Sequence, residues 1–260
     1  MLDMAEVRPE DYVVDLGSGD GRMVITAAKR GARALGIEYN SDMVALSKRN
    51  AAREGVSNKA LFITADLFEI DFQHATVITM FLLPEINMEL RPRILDLKPG
   101  TRVVSNTFPM GDWMADQTVI LEDKKDCSYY TAHLWIVPAK VEGTWKLAQG
   151  ELKLKQQYQM LSGTLTSGVK TMPVTNGKLS GDLINFSVGD ANYTGRVLGG
   201  AMEGSFKSSG NITPWTATKV ASHCRLQRQN VPLVPPVLTR RVQKPSLSTT
   251  SSNTSPQGGV

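Results

Sequence analysis

The chain has 260 residues, with 29 Lys and Arg against 25 Asp and Glu, a formal net charge of +4 and a pI near 9.0. That length suits one large domain or two modest ones, and 41% hydrophobic with 21% charged residues is a composition that folds. No apolar run approaches the roughly 18 residues of a membrane-spanning helix, no signal-peptide pattern opens the chain, and Cys127 and Cys224 are too few for a disulfide framework or a zinc cage.

The basic pI suggests nucleic acid or a membrane surface, but the charge is not spread evenly. Residues 1–139 carry a net −5, residues 140–222 a net +4 and residues 223–260 a net +5. Twelve of the 22 glycines fall between Gly143 and Gly210. Composition therefore predicts three segments: an acidic domain at 1–139, a turn-rich basic domain at 140–222 and a disordered tail at 223–260, rich in Pro, Ser and Thr. Any acidic partner would dock on the basic segments after residue 140.

The first segment reads as alternating strands and helices. Apolar runs predict strands at 13–17, 34–39, 60–65, 76–82 and 101–108. Helical spacing predicts helices at 21–30, at 41–54 with Ser41 as the cap, and at 86–97. Such alternation implies a parallel sheet covered on both faces. Two further strands at 118–122 and 130–137, with no helix between them, imply an antiparallel edge. The second segment lacks a convincing helix and predicts about eight short antiparallel strands, a small barrel or sandwich. Asn176-Gly177 reads there as a hairpin turn, and 160–165 and 178–183 as a weak repeat. Gly143-Thr144-Trp145 resembles the Gly-x-Trp opening of lipocalin-like barrels, where the Trp plugs one end of the barrel.

The chemistry concentrates at Asp15-Leu16-Gly17-Ser18-Gly19-Asp20-Gly21-Arg22, where a strand runs through three glycines into a helix. Such a loop lets backbone approach a ligand and presents helix N–H donors to it. A dinucleotide fold needs a small residue where Arg22 stands, and Asp15 would repel a pyrophosphate but suit a cationic group. Glu38 ends the second strand, 21 residues after Gly17, within reach of ribose hydroxyls, and Asp66 ends the third.

This combination resembles the class I S-adenosylmethionine-dependent methyltransferases over about residues 7–137. The resemblance implies a Rossmann-like seven-stranded sheet and S-adenosyl-L-methionine as cofactor. It implies that Asp15, Gly17, Ser18, Gly19 and Gly21 hold the methionyl end, Glu38 the ribose, and Asp66 with Leu67 the adenine. Leu83-Pro84-Glu85-Ile86-Asn87 and Phe108-Pro109…Trp113 narrow it, being similar to small lysine methyltransferases of mitochondrial inner-membrane proteins. Those enzymes lack a glycine-rich β domain and tail. Only about a dozen residues precede Val13, so the segment that covers the cofactor in class I enzymes is largely missing; either the start lies inside a longer chain or the site is more open.

The substrate side is expected at the ends of the fourth and fifth strands, with Leu83, Pro84, Glu85, Asn106, Phe108 and Trp113 as candidates. Glu85 either holds an amine or stabilises a helix N-terminus. No Asn/Asp-Pro-Pro-aromatic sequence follows the fourth strand, which argues against an adenine-N6 enzyme. His74, His133 and His223 have no metal-ligand spacing, and there is no Gly-x-Ser-x-Gly elbow. The expectation is a cytoplasmic methyltransferase acting on a protein amine or, next, a small molecule, with no metal, no nucleic-acid partner and no membrane span. A methyltransferase-like binding scaffold without activity is the alternative.

Overall fold

The computed structural model describes residues 1–120 and 131–221. The expected tail, Cys127, Cys224, His223 and residues 121, 122 and 130 of the two expected strands lie outside the described residues.

The N-terminal layer is a seven-stranded sheet built from β1 (Tyr12–Leu16), β2 (Arg33–Glu38), β3 (Ala60–Thr64), β4 (Val77–Met80), β5 (Arg102–Asn106), β6 (Gln117–Ile120) and β7 (Thr131–Ile136). Its order is β3-β2-β1-β4-β5-β7-β6. Strands β1 to β5 pair in parallel, while β7 runs antiparallel to both β5 and β6. Helices α1 (Arg22–Lys29), α2 (Ser41–Arg53) and α3 (Pro84–Leu95) join β1 to β2, β2 to β3 and β4 to β5, while a segment without a helix joins β3 to β4. Successive residues of the central strands feed opposite faces. Val13, Val77 and Val104 pack with Val24, Ala28 and Val44 of α1 and α2. Val14, Ile78 and Val103 pack with Leu90 and Ile94 of α3 and with Trp113 and Trp135. Burial on both faces explains why these strands read as continuous apolar runs.

The strand order reverses at β1, whose neighbours are β2 on one side and β4 on the other. In open α/β sheets, the crevice beyond the carboxyl ends of the strands at such a reversal is where ligands bind.

The second layer is a closed eight-stranded antiparallel barrel, order β10-β11-β12-β13-β14-β15-β8-β9. Its strands are β8 (Gly143–Leu147), β9 (Gly150–Gln157), β10 (Met160–Ser167), β11 (Lys170–Ser180), β12 (Leu183–Val188), β13 (Ala191–Leu198), β14 (Ala201–Ser208) and β15 (Asn211–Lys219). Side chains fill it, as is usual at this strand number. Leu152, Leu179, Ile184 and Met202 pack with the rings of Phe186, Tyr193 and Trp215. Trp145 is fully buried in it and donates its indole N–H to Val141 O at 2.7 Å.

Three local expectations change. Asn176-Gly177 is not a hairpin turn but part of β11, at a register shift between Thr175 and Lys178. A Cβ on Gly177 would fall 2.5 Å from Leu161 O, so the glycine admits a neighbouring strand. The segments 160–165 and 178–183 are not equivalent units: the first lies wholly within β10, while the second closes β11, turns and opens β12, and only Met160 and Lys178 pair between them. The cap of α2 is Asn40, whose Oδ1 accepts from Asp42 N and Met43 N at 2.9 and 3.3 Å, and Ser41 is already the first helical residue.

Asn40→Ala should therefore cost ~1 kcal/mol in urea unfolding, while Ser41→Ala should cost little. The opposite ranking would return the cap to Ser41.

Candidate functional site

The glycine loop is held by its neighbours more than by itself. Gly17 N and Ser18 N both donate to Ile37 O of β2, at 2.9 and 3.0 Å. Gly19 N donates to Glu38 Oε2 at 3.0 Å. From α2, Ser47 donates to Gly19 O at 2.8 Å and Asn50 Nδ2 to Asp20 O at 2.9 Å. Gly21 caps α1 at φ +81°, and a Cβ there would fall 2.7 Å from the Phe62 ring. Gly19, at φ +52°, has nothing within 4 Å of where a Cβ would stand, so its open side is available to a ligand.

Against this loop lies a cavity of about 530 Å³, within the ~300–1,000 Å³ range of small-molecule sites. Asp15, Gly17, Ser18, Gly19 and Asp20 form one wall; Met80, Phe81 and Asn106, at the ends of β4 and β5, form another. Met1, Arg22, Met23 and Met43 complete it, so the short N-terminal segment reaches the cavity. That segment is pinned by Leu2 and Ala5 in the core and by Arg30 paired with Asp3.

Asp15, Gly17, Ser18 and Gly19 are thus brought together on the cavity wall. Gly21, Glu38, Asp66 and Leu67 are not on it. Glu38 braces the loop, its second oxygen accepting from Asn40 N at 3.0 Å. Asp66 is exposed beyond β3 and closes a turn by accepting from Phe68 N at 2.9 Å. Arg22 forks onto Asp20 and leaves it the cavity's ion-paired acid. Hydrogen bonds from Arg22 hold the Asp20 carboxyl below the usual carboxylate range.

On the expected acceptor side, Pro84 and Glu85 form the first turn of α3, with Glu85 exposed. Phe108 stacks on Phe81, centroids 6.1 Å apart and 14° between planes. Asn87 is fully buried and its Nδ2 donates to Phe108 O at 3.2 Å, tying α3 to the segment after β5. Thr107 sits at φ +65°, an uncommon conformation for a β-branched residue. Trp113 requires correction as a substrate contact. It is fully buried, stacks on Tyr158 of the barrel and donates to Gln159 Oε1 at 2.9 Å. Sequence reasoning missed Ser47, Asn50 and the methionines of the cavity. A serine on the buried face of α2 was the available signal for the first of these.

Two features fit a ligand carrying positive charge. Ser18 Oγ is buried with no hydrogen-bond partner among the described residues. Asp15 is buried, accepts from Thr79 Oγ1 at 2.6 Å, and has its pKa pushed up to about 7 by burial, with the Asp20 and Glu38 charges adding to the effect. A buried carboxyl whose ionisation is opposed by nearby carboxylates is relieved by a cation placed beside it.

Residues 15–117 match the family described as the ANTKMT methyltransferase domain. A protein-lysine N-methyltransferase of Saccharolobus islandicus is 39% identical over 140 residues, 53% of this chain and 86% of that protein. The adenine nucleotide translocase lysine N-methyltransferase of Mus musculus is 37% identical over 115 residues, 44% of this chain and 50% of that protein. The chain thus spans about half the length of the Mus musculus relative. A crystal structure of a Salinibacter ruber RNA methyltransferase with S-adenosyl-L-homocysteine is 44% identical, covers 54% of this chain and 89% of that chain, and has a TM-score of 0.50. The class is therefore S-adenosylmethionine-dependent methyltransferase. Within it, the chain belongs to the family of the Saccharolobus islandicus protein-lysine N-methyltransferase, extended by a barrel that begins after the family match ends at residue 117.

Asp15 makes a pH prediction. With a pKa of about 7 it is neutral below that pH in the free protein. Calorimetry should show S-adenosylhomocysteine affinity rising about tenfold from pH 6 to pH 8, with proton release below pH 7. The folded state keeps this proton between the ordinary value of 3.8 and about 7, so ionising Asp15 removes stability as pH rises through that window. Asp15→Asn should abolish the pH dependence, weaken binding, and raise the thermal midpoint at pH 8 by roughly 3–8 °C. A variant that binds as tightly as the wild type at pH 8 would sink this role.

Proposed function

We propose that the acceptor is the side-chain amine of a protein lysine. In this reading Asp15, Gly17, Ser18 and Gly19 take the cofactor's methionyl end. Glu38 takes the ribose hydroxyls with lone pairs left over from Gly19 and Asn40, and Asp66 and Leu67 border the adenine. The observation that carries the acceptor side is the stacked Phe81–Phe108 pair, with Phe81 on the cavity wall and Phe108 on the segment after β5. Two aromatic faces suit an ammonium and its aliphatic stem, worth ~0.5–2 kcal/mol as a cation–π contact. Exposed Glu85, in the first turn of α3, adds negative charge next to Leu83 and Pro84.

The bound cofactor supplies a methyl group carried on a positively charged sulfur. The protein's part is to align an amine lone pair with it and to keep that amine neutral. The wall formed by Met23, Met43, Met80 and Phe81 is apolar, and desolvation there lowers the pKa of an entering ammonium. A dedicated base is not required. The names of the Saccharolobus islandicus and Mus musculus relatives support a lysine acceptor. The compartment we propose is the cytoplasm.

A second reading, RNA as acceptor, is favoured by the Salinibacter ruber relative. Against it stands the net charge of −5 over residues 1–139, since RNA binding is dominated by Lys and Arg on phosphate. Cell extract incubated with the full chain and methyl-labelled cofactor should carry label in protein and yield methyllysine on hydrolysis. Label confined to RNA would overturn the lysine reading. Phe108→Ala should raise the KM for the protein acceptor about fivefold and leave S-adenosylhomocysteine affinity within about twofold.

A further inference from the structure

The barrel lies outside the family match, yet it grips the loop that leaves the acceptor side of the sheet. That loop runs from Thr107 to Asp116, between β5 and β6. The turn joining β9 to β10, Tyr158-Gln159, holds it at three points. Gln159 is buried, accepts from the Trp113 indole at 2.9 Å and donates to Met114 O at 2.8 Å. The Tyr158 ring stacks on Trp113, centroids 5.8 Å apart at 18°. Tyr158 OH donates to Asp112 at 2.9 Å. A fourth hold comes from β11, where Lys178 pairs with Asp116 at 3.1 Å.

The sheet domain holds the other side of the same loop. Arg91 of α3 donates to Met110 O at 3.0 Å, pairs with Asp112 and lies 5.3 Å over the Tyr158 ring. The Trp135 indole donates to Trp113 O at 2.8 Å, and Ile136 N to Asp116 Oδ2 at 3.0 Å. A fully buried indole N–H needs a partner, and the partner of Trp113 belongs to the barrel. The barrel also accepts a cost to supply it, because Tyr158 sits at φ +54°, where glycine is ordinarily favoured. At its start, the loop carries Phe108 and the strained Thr107, beside Asn106 on the cavity wall.

We propose that the barrel is a positioning element for methyl transfer: its Tyr158-Gln159 turn clamps the loop from Thr107 to Asp116 and so sets Phe108 at the acceptor mouth. Tyr158 and Gln159 are positioning residues that touch neither cofactor nor acceptor. This rests on the methyltransferase reading above for its kinetic consequence, but not for the clamp itself.

The test compares the full chain with Gln159→Ala, which removes both side-chain bonds and leaves the bond from Leu179 N to Gln159 O in place. Leu152→Ala, a cavity in the barrel core away from the loop, is the control for general destabilisation. Amide exchange of residues 107–116 should quicken about tenfold in Gln159→Ala and stay unchanged in Leu152→Ala. The kcat/KM for the protein acceptor should fall about tenfold in Gln159→Ala alone, with S-adenosylhomocysteine affinity within about twofold of wild type. If Gln159→Ala does not fold, Tyr158→Phe, which loses the hydroxyl's bond to Asp112 and keeps the ring on Trp113, carries the same comparison with effects of about threefold. Unchanged exchange at 107–116, or a kinetic loss equal to that of the control, overturns the clamp. A wild-type chain that transfers no methyl overturns the acceptor reading instead, and the exchange rates still decide the clamp.

Discussion

The site depends on how the backbone of the glycine loop is satisfied. Three glycines in five residues give a chain that is free to approach a ligand and costly to order. Glu38 takes Gly19 N, Ser47 takes Gly19 O and Asn50 takes Asp20 O, so β2 and α2 fix the loop from behind. Glu38 also accepts from Asn40 N, and Asn40 in turn caps α2. One carboxylate thus links the loop to the end of β2 and the start of α2. Gly19 is left open where a Cβ would stand, and the cavity lies against the loop, with Met43 of α2 on its wall.

Within that cavity, stability and binding pull in opposite directions. Asp15 is buried beside Thr79, with Asp20 and Glu38 close enough to oppose its ionisation. A free protein gains nothing from a carboxyl there that is neutral up to about pH 7. A cationic ligand reverses the balance, because it stabilises the ionised form of Asp15 that burial and the nearby Asp20 and Glu38 charges oppose. The charge of the whole chain has a comparable division: residues 1–139 are acidic and residues 140–222 basic. The excess of Lys and Arg therefore says little about the acceptor.

The sheet and the glycine loop that walls the cavity were legible because their signals are local. A strand ending in Asp15, three glycines and an immediate helix sit within eight consecutive residues. Doubly buried strands announce themselves as apolar runs, and the barrel strands by alternation. What depended on distant partners was not legible. Ser41 and Asn40 are equally good caps on composition, and only the path of the backbone at Asn40 decides between them. Asn176-Gly177 carries a hairpin signature, yet the approach of Leu161 turns it into an irregularity inside a long strand. Trp113 follows Phe108 in sequence and reads as part of the same surface, but its indole pairs with a residue 46 positions later. The Met1, Met43 and Met80 side chains meet at the cavity from three separate elements, and no spacing in the sequence connects them.

The central proposal is that the cavity against the glycine loop binds the methyl donor and that Glu38, off the cavity wall, braces that loop through Gly19 N. It is tested most directly by calorimetric titration of the full chain and of Glu38→Ala with S-adenosylhomocysteine, and with NAD for comparison. The expected result is saturable binding of S-adenosylhomocysteine, no binding of NAD, and an affinity at least about tenfold weaker in Glu38→Ala. No binding of S-adenosylhomocysteine by the wild type, or NAD binding in its place, would contradict it.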